Sequence, residues 1–325
     1  MPMTRAAVIA GLGGAVPPAV VTNDDLADRF DTSDAWIRER TGIGARHVSA
    51  PGTPTSDLAV DAAARAMRSA GATSVDAVVL ATTTPDRRCP ATAPLVASRL
   101  GLGPVPAYDI SAVCAGFIYA LANAAGMIAA GLADRVLVIG ADTFSSILDP
   151  TDRATTAIFG DGAGAVVLRA GSPDELGALG PFDLGSDGSG ADLITIMSGG
   201  SHDPDGVDRY FQMSGKSVFR HAVERMTQSA RTVLGKTDWA DPTPDLLVAH
   251  QANLRILHAV ADQLDLDRGR CAVHLDRVGN TSAASIPLAL ADAAPTPGAK
   301  VLLTAFGGGL AWGSCALRWP SIEPQ

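Results

Sequence analysis

A thiol, an imidazole and a carboxamide stand at the ends of apolar segments in this chain, where each could do chemistry. Cys114 lies in Asp109-Ile-Ser-Ala-Val-Cys114-Ala-Gly-Phe117, between a short strand-like run and an uncharged helical one. The first N–H groups of a helix are unpaired and its N-terminal end is electropositive, which favours a thiolate nucleophile. Ala115 and Gly116 are small enough to let a thioester approach. The same residue type also suits a small buried apolar position. His250 ends the apolar run Leu246–His250, and ligands of α/β sheets bind at the C-terminal ends of strands. A histidine there can equally be a buried hydrogen-bonded residue or a cap. Asn280, in Gly279-Asn280-Thr281-Ser282, reads on its own as a helix N-cap. As a glycosylation acceptor it would matter only in a secreted protein. The run Phe306-Gly307-Gly308-Gly309 lacks the spacing and lysine of a phosphate loop. Backbone N–H groups aimed at an oxyanion are its other use.

The elements that must position these groups alternate between strand and helix. Strands are expected at Ala6–Gly11, Asp76–Thr82, Ala107–Ser111, Arg135–Gly140 and Gly162–Leu168. Helices are expected at Ser56–Ala70, at Ala93–Leu100 and after Cys114 as far as Gly131. The second half repeats the order. Helices are expected at Ser217–Leu234, Leu254–Leu264 and Ser282–Ala293, and strands at Leu246–His250, Cys271–Leu275, Val301–Phe306 and Gly313–Arg318. Two matching series suggest a duplicated α/β half, divided here as 1–170 and 171–325. The Gly-, Asp- and Ser-rich stretch Ala170–Phe211 reads as the connection, with excursions that could cap a site. Cys114 and Asn280 then occupy matching junctions, and two such helix starts could face each other across one cleft.

Composition narrows the class. The 325 residues are 47% hydrophobic, enough to bury a large core. The formal charge of -9 gives no long-range attraction for nucleic acid. It also means that an acidic partner needs a local basic patch. The cysteines Cys89, Cys114, Cys271 and Cys315 show no metal-ligand spacing, so reduced thiols in a cytoplasm are expected. Met1–Gly14 lacks the long apolar run and cleavage site of a signal peptide. Ile110–Ala133 carries no charge, but it is rich in Ala and Gly and reads as a core helix, not a membrane span.

Taken together and in order, the motifs resemble the ketoacyl-acyl-carrier-protein synthase III family of the thiolase superfamily. The resemblance covers nearly the whole chain. It rests on Asp34-Ala-Trp36-Ile-Arg-Glu-Arg40-Thr41-Gly42-Ile43, the Cys114 segment, Phe159-Gly160-Asp161-Gly162-Ala163-Gly164-Ala165, His250-Gln251-Ala252-Asn253, Gly279-Asn280-Thr281-Ser282 and Phe306-Gly307-Gly308-Gly309-Leu310-Ala311-Trp312-Gly313. It implies a thiolase-like, five-layered αβαβα fold of two duplicated α/β halves, as a homodimer. It implies Cys114 as nucleophile, His250 and Asn280 as its catalytic partners, and N–H groups of Cys114 and Gly308 as the oxyanion hole. Phe306 would be the apolar wall that favours decarboxylation. Trp36, Arg40, Arg153 and Asn253 would bind CoA, and Arg255 with Lys216 would dock a carrier protein. The reaction implied is a decarboxylative condensation of an acyl-CoA primer with malonyl-ACP or malonyl-CoA. Acyl-CoA is a substrate there, and no cofactor or metal is expected.

Departures from the family pattern bear on partners and substrate. Asp262 and Gln263 stand where relatives often carry lysines, which leaves a free CoA extender open. Cys89 precedes Pro90 where some relatives have a Phe that closes the acyl pocket from the partner subunit. With Phe117 near the nucleophile, this suggests a roomier pocket for bulky primers. Two rivals remain at this stage. One is an acyltransferase that passes the acyl group to an alcohol or amine, and the other is a non-catalytic partner subunit. Cys315 sits in a strand-like run and reads as core, not as a second catalytic thiol.

Overall fold

Short β-branched and apolar runs pair into two principal sheets in the computed structural model, which describes residues 5–325. The first sheet has five strands in the order Ala6–Ala15, Gly162–Gly171, Arg135–Asp142, Ala77–Ala81 and Ala107–Ile110. Its last three strands are parallel, with Leu80 opposite both Ile139 and Asp109. The second has four strands in the order Leu246–Ala249, Lys300–Gly307, Ala311–Arg318 and Phe182–Ser186. Strands buried on both faces read as continuous apolar runs, and Ala77–Ala81 is buried at every position.

The helices fill the spaces on either side of these sheets. Gly116–Ala129 and Ser285–Ala293 pack between them, in a core that joins Val79 and Val136 of the first sheet to Val248 and Leu303 of the second. Thr55–Ser69 and Ala93–Arg99 cover the outer face of the first sheet. Gly215–Leu234 and Leu254–Gln263 cover that of the second. The result is five layers, αβαβα. The uncharged segment is thus a 14-residue helix between two sheets. Among the described residues no helix is long and apolar enough to cross a membrane. Of the N-terminal stretch, Met1–Thr4 lies outside the described residues.

Three sequence expectations need correction. Cys271–Leu275 is not a strand. Cys271 makes one bridge to Leu247, and Leu275–Val278 is helical. The side chain of Gln251 takes the place of a neighbouring strand, accepting from His274 N at 2.8 Å and Leu275 N at 3.3 Å. The stretch after Ala170 is more than a connection. Phe182–Ser186 is an edge strand of the second sheet, and Ile194–Thr195 pairs with Gln212–Met213. The third correction concerns the duplicated junction. Each central helix is preceded by a 3-10 turn, Val113–Ala115 in one half and Ser282–Ala284 in the other. Val113 (φ 46°) and Ser282 (φ 51°) both open their turns in the left-handed region, where a non-glycine residue is strained. In that register Cys114 matches Ala283, and Asn280 lies earlier, in the approach to its turn.

The two halves meet too closely for side chains at some points. A Cβ on Gly140 would lie 2.3 Å from the carbonyl oxygen of Ala283. Gly140→Ala is therefore expected to destabilise the protein by about 1–3 kcal/mol through overpacking. Gly126, in the central helix, has open space around it. Gly126→Ala is expected to stabilise by about 0.4–1 kcal/mol. Denaturant unfolding of both variants checks the pair, and equal effects would contradict the close approach at Gly140.

Candidate active site

Cys114 is the middle residue of its 3-10 turn, and the helix proper starts two residues later. Its thiol is buried, and that burial pushes it up to about 12, with the nearby Asp142 carboxylate adding to the rise. Desolvation of the charged form thus opposes the favourable helix terminus read from the sequence. Among the described residues the hydrogen-bond partner of Sγ is Ser282 Oγ, at 3.8 Å.

His250 follows the strand Leu246–Ala249, and its N–H donates to Thr304 O at 2.8 Å. Its Nδ1 lies 2.7 Å from Ser285 Oγ, on the central helix. Burial pushes the imidazole down to about 3, so it is neutral at physiological pH. Assigning the Ser285 hydroxyl as the donor to Nδ1 places the proton on Nε2, which then serves as a donor. Asn280 is fixed in the same way. Its Oδ1 accepts from Ser282 N at 2.9 Å, which leaves the Nδ2 amide as its free donor. Its backbone is held by the other half, through Asn280 N to Ile158 O at 2.9 Å and Gly160 N to Asn280 O at 3.0 Å.

Cys114, His250, Asn280 and Phe306 line one cavity of about 40 Å³. Its further walls include Phe159, Ile194, Phe211 and Met213. The Phe159 ring stacks on Phe144 at 4.2 Å and meets Phe211 edge-on at 5.0 Å. The sequence reading did not single out these wall residues, because scattered apolar residues carry no spacing signal. Gly307, the first glycine of its run, also lines the cavity, and a Cβ there would lie 2.8 Å from Cys114 N. Gly308 packs one residue further on, against Ile194.

Asp142 is a buried carboxylate beside the site that sequence reasoning missed. It ends the strand Arg135–Asp142 and is fully buried. Its Oδ1 accepts from Thr82 Oγ1, Thr83 N, Thr84 N and Thr84 Oγ1 at 2.7–3.2 Å. Its Oδ2 accepts from Ala283 N at 3.2 Å. Burial raises its pKa, and these donors together with the Ser282 hydroxyl oppose the rise. The signal was there in Ala141-Asp142-Thr143, a carboxylate at the end of an apolar strand.

Other predicted residues fall around this cavity or away from it. The guanidinium groups of Arg40 and Arg153 lie 4.4 and 4.8 Å from the Trp36 ring. Asn253 caps the helix Leu254–Gln263, accepting from Arg255 N and donating to Arg40 O, so its amide serves as a tether between helices. Arg255 and Lys216 are exposed on the two helices that cover the second sheet, and so is Arg220 one turn beyond Lys216. Phe117 does not line the cavity. It is buried in the core between the sheets, packed beside Gly140. Cys89 is exposed in the single chain, before the helix Ala93–Arg99. Cys315 is buried in its strand.

Known proteins share this arrangement over the full chain. Residues 108–188 match the family model described as 3-oxoacyl-[acyl-carrier-protein (ACP)] synthase III, and residues 234–319 match its C-terminal counterpart. The beta-ketoacyl-[acyl-carrier-protein] synthase III 3 of Streptomyces coelicolor is 59% identical, covering 99% of this chain and 100% of its own. The crystal structure of 3-oxoacyl-(acyl carrier protein) synthase III from Pseudomonas aeruginosa superposes with a TM-score of 0.93 at 54% identity, over 98% of this chain and 100% of that one. The priming beta-ketosynthase of the R1128 polyketide pathway superposes at 0.90 with 32% identity, over 98% of each chain. Sequence motifs, five-layered fold and whole-length similarity agree, and this chain belongs to the 3-oxoacyl-[acyl-carrier-protein] synthase III family of condensing enzymes.

Proposed function

We propose that this enzyme transfers an acyl group from acyl-CoA to Cys114 and condenses it with a malonyl thioester under the control of His250 and Asn280. One observation carries the reading. His250 and Asn280 each have their other polar atom tied to a serine, at Ser285 Oγ and Ser282 N, so that two neutral donors remain for the cavity of Cys114. Donors of this kind stabilise a negative oxygen without taking its proton.

The two half-reactions follow from this. Cys114 Sγ attacks the primer thioester, and CoA leaves. The malonyl thioester then enters with its carbonyl oxygen toward His250 Nε2 and Asn280 Nδ2. Loss of CO₂ builds enolate charge on that oxygen, so both bonds strengthen in the transition state. The carbanion attacks the acyl-Cys114 carbonyl and gives a 3-oxoacyl thioester. Phe306 supplies an apolar wall where the carboxylate loses its charge. The tetrahedral intermediates draw on N–H groups of Cys114 and of the Gly307–Gly308 turn.

Trp36, Arg40 and Arg153 form a cationic and aromatic group suited to a nucleotide base and phosphates. Lys216, Arg220 and Arg255 are exposed cations on the helices that wall the cavity, a local basic patch for an acidic carrier protein on an otherwise acidic chain. Free malonyl-CoA is the other extender this surface admits. In this reading the enzyme works as a cytoplasmic homodimer and takes no cofactor. The cavity within one chain is small, so a longer primer extends beyond it, toward Cys89 of a second copy. Simple acyl transfer to an alcohol or amine is less well supported, because His250 is oriented by Ser285 and not by a carboxylate that would stabilise it as a base.

Intact-protein mass with a panel of acyl-CoAs tests the reading. An acyl adduct at Cys114 is expected, discharged by malonyl-CoA or malonyl carrier protein. Absence of the adduct in the wild type would overturn the nucleophile assignment, and an adduct that no malonyl donor discharges would favour acyl transfer. His250→Ala and Asn280→Ala are each expected to lower condensation by about 10²–10³-fold and to accumulate acyl-enzyme. Steady-state rates and adduct mass check this together. Cys89→Phe is expected to lower the rate with branched or medium-length acyl-CoAs about tenfold relative to acetyl-CoA. An unchanged primer profile would remove Cys89 from the pocket.

A further inference from the structure

We propose that Arg46 is a positioning residue of the condensation step, holding the backbone from which the Asn280 amide is aimed. The inference rests on Asn280 being a donor to the malonyl thioester. Arg46 lies on the short strand Ala45–His47 and is 1% exposed. Its guanidinium donates to Val21 O at 3.1 Å, Asn23 Oδ1 at 2.9 Å and Ala157 O at 2.7 Å. Ala157 immediately precedes the stretch that pairs with Asn280. Asn280 N donates to Ile158 O at 2.9 Å, and Asn280 O accepts from Gly160 N at 3.0 Å. Phe159 and Asn280 thus form an isolated parallel bridge between the halves. The stem of Arg46 packs on the same bridge. A Cβ on Gly279 would lie 3.0 Å from Arg46 Cβ, and one on Gly160 would lie 3.2 Å from it. One side chain therefore bears on both sides of the bridge with its stem and holds one flank with its head.

An isolated bridge has no ladder beyond it to keep its register, so the bonds at its flanks decide where Asn280 sits. With its N and O both fixed, the direction of the Asn280 Cα–Cβ bond is fixed, and the bond from Ser282 N to Oδ1 then sets the amide. The anchor behind Arg46 is itself tied down. Asn23 is buried, and its Nδ2 donates to Asp34 Oδ1 and Ile43 O, both at 2.8 Å. An arginine suits the task because its planar fork presents donors in several fixed directions, whereas a lysine ammonium is a point charge on a flexible stem. All three Arg46 acceptors are neutral oxygens. Burying a cation without an opposite charge costs more than filling the space with an apolar side chain. The apolar side chain would leave Ala157 O without this donor and the bridge without its flank. A reacting group misplaced by about 1 Å loses up to about 10²-fold in rate.

Single-turnover kinetics read by intact-protein mass test this. Acylation of Cys114 by acyl-CoA is followed separately from discharge of the acyl-enzyme by the malonyl donor that discharges the wild type. Arg46→Met is expected to lower discharge about 30-fold and acylation far less, so that acyl-enzyme accumulates. Arg46→Lys keeps the charge and puts folding less at risk, and it is expected to lower discharge about tenfold. Thermal unfolding checks that each variant is folded at the assay temperature. The same substitutions are then made in Asn280→Ala. A residue that acts through Asn280 has little left to lose there, so Arg46→Lys is expected to cost less than about twofold in that background. An equal cost in both backgrounds would overturn the proposal. So would acylation and discharge falling by one common factor, the mark of a smaller folded fraction. An acyl-enzyme that no malonyl donor discharges, or that Asn280→Ala discharges as fast as the wild type, would remove the functional reading itself. With that reading intact, additive costs remove the role of Arg46 alone.

Discussion

A close junction between the halves is organised around one buried carboxylate. Asp142 ends a strand of the first sheet, receives hydrogen bonds from Thr82, Thr83 and Thr84 on its own side, and reaches Ala283 N on the other. Burying a lone carboxylate costs several kcal/mol, and hydrogen bonds to a charged group return about 1.5–3 kcal/mol each. Asp142 therefore depends on a full set of donors, one of which the second half supplies through Ala283 N. That requirement holds the turn Ser282–Ala284 against the strand end and the Cys114 turn. It also explains how two residues at positive φ persist, since strain of this kind survives where surrounding contacts over-determine it.

A second set of bonds crosses in the same place and fixes the donors. Asn280 belongs to the second half, yet its backbone pairs with Ile158 and Gly160 of the first. The segment it pairs with is held in turn by Arg46, whose buried guanidinium donates to Ala157 O at 2.7 Å and Asn23 Oδ1 at 2.9 Å. Burial lowers Arg46 only to about 10, so it remains a cation at neutral pH. His250 is oriented from the central helix by Ser285. The His250 ring is thus aimed from another element, and the Asn280 backbone is braced by the opposite half. The site has the precision of the core packing behind it.

This pattern explains what could be read from the sequence. Strands such as Ala77–Ala81 and helices such as Thr55–Ser69 follow local periodicity and end signals, and they appear close to where periodicity puts them. Cys114, His250 and Asn280 were legible because they interrupt apolar runs with reactive groups, within motifs of a resembling family. Asp142 was passed over because its importance comes from Thr82–Thr84 and Ala283, all remote in sequence. Cys271–Leu275 looked like a strand because its composition suits one. A side chain, Gln251, took the ladder's place. Phe117 sits beside the nucleophile in sequence, but helical geometry turns it into the core.

Burial has opposite effects on the two halves of the chemistry. It keeps the Cys114 thiol protonated, which slows attack on the primer. It also keeps His250 neutral and leaves its donor and that of Asn280 in a small, mostly apolar cavity, where a hydrogen bond to a forming enolate is strongest. A more exposed site would ease the first step and weaken the second. The fold retains the apolar cavity, so the cost falls on thiol ionisation. Asp142, buried beside the site by the same hydrogen bonds that hold the two halves together, adds to that cost by raising the thiol further.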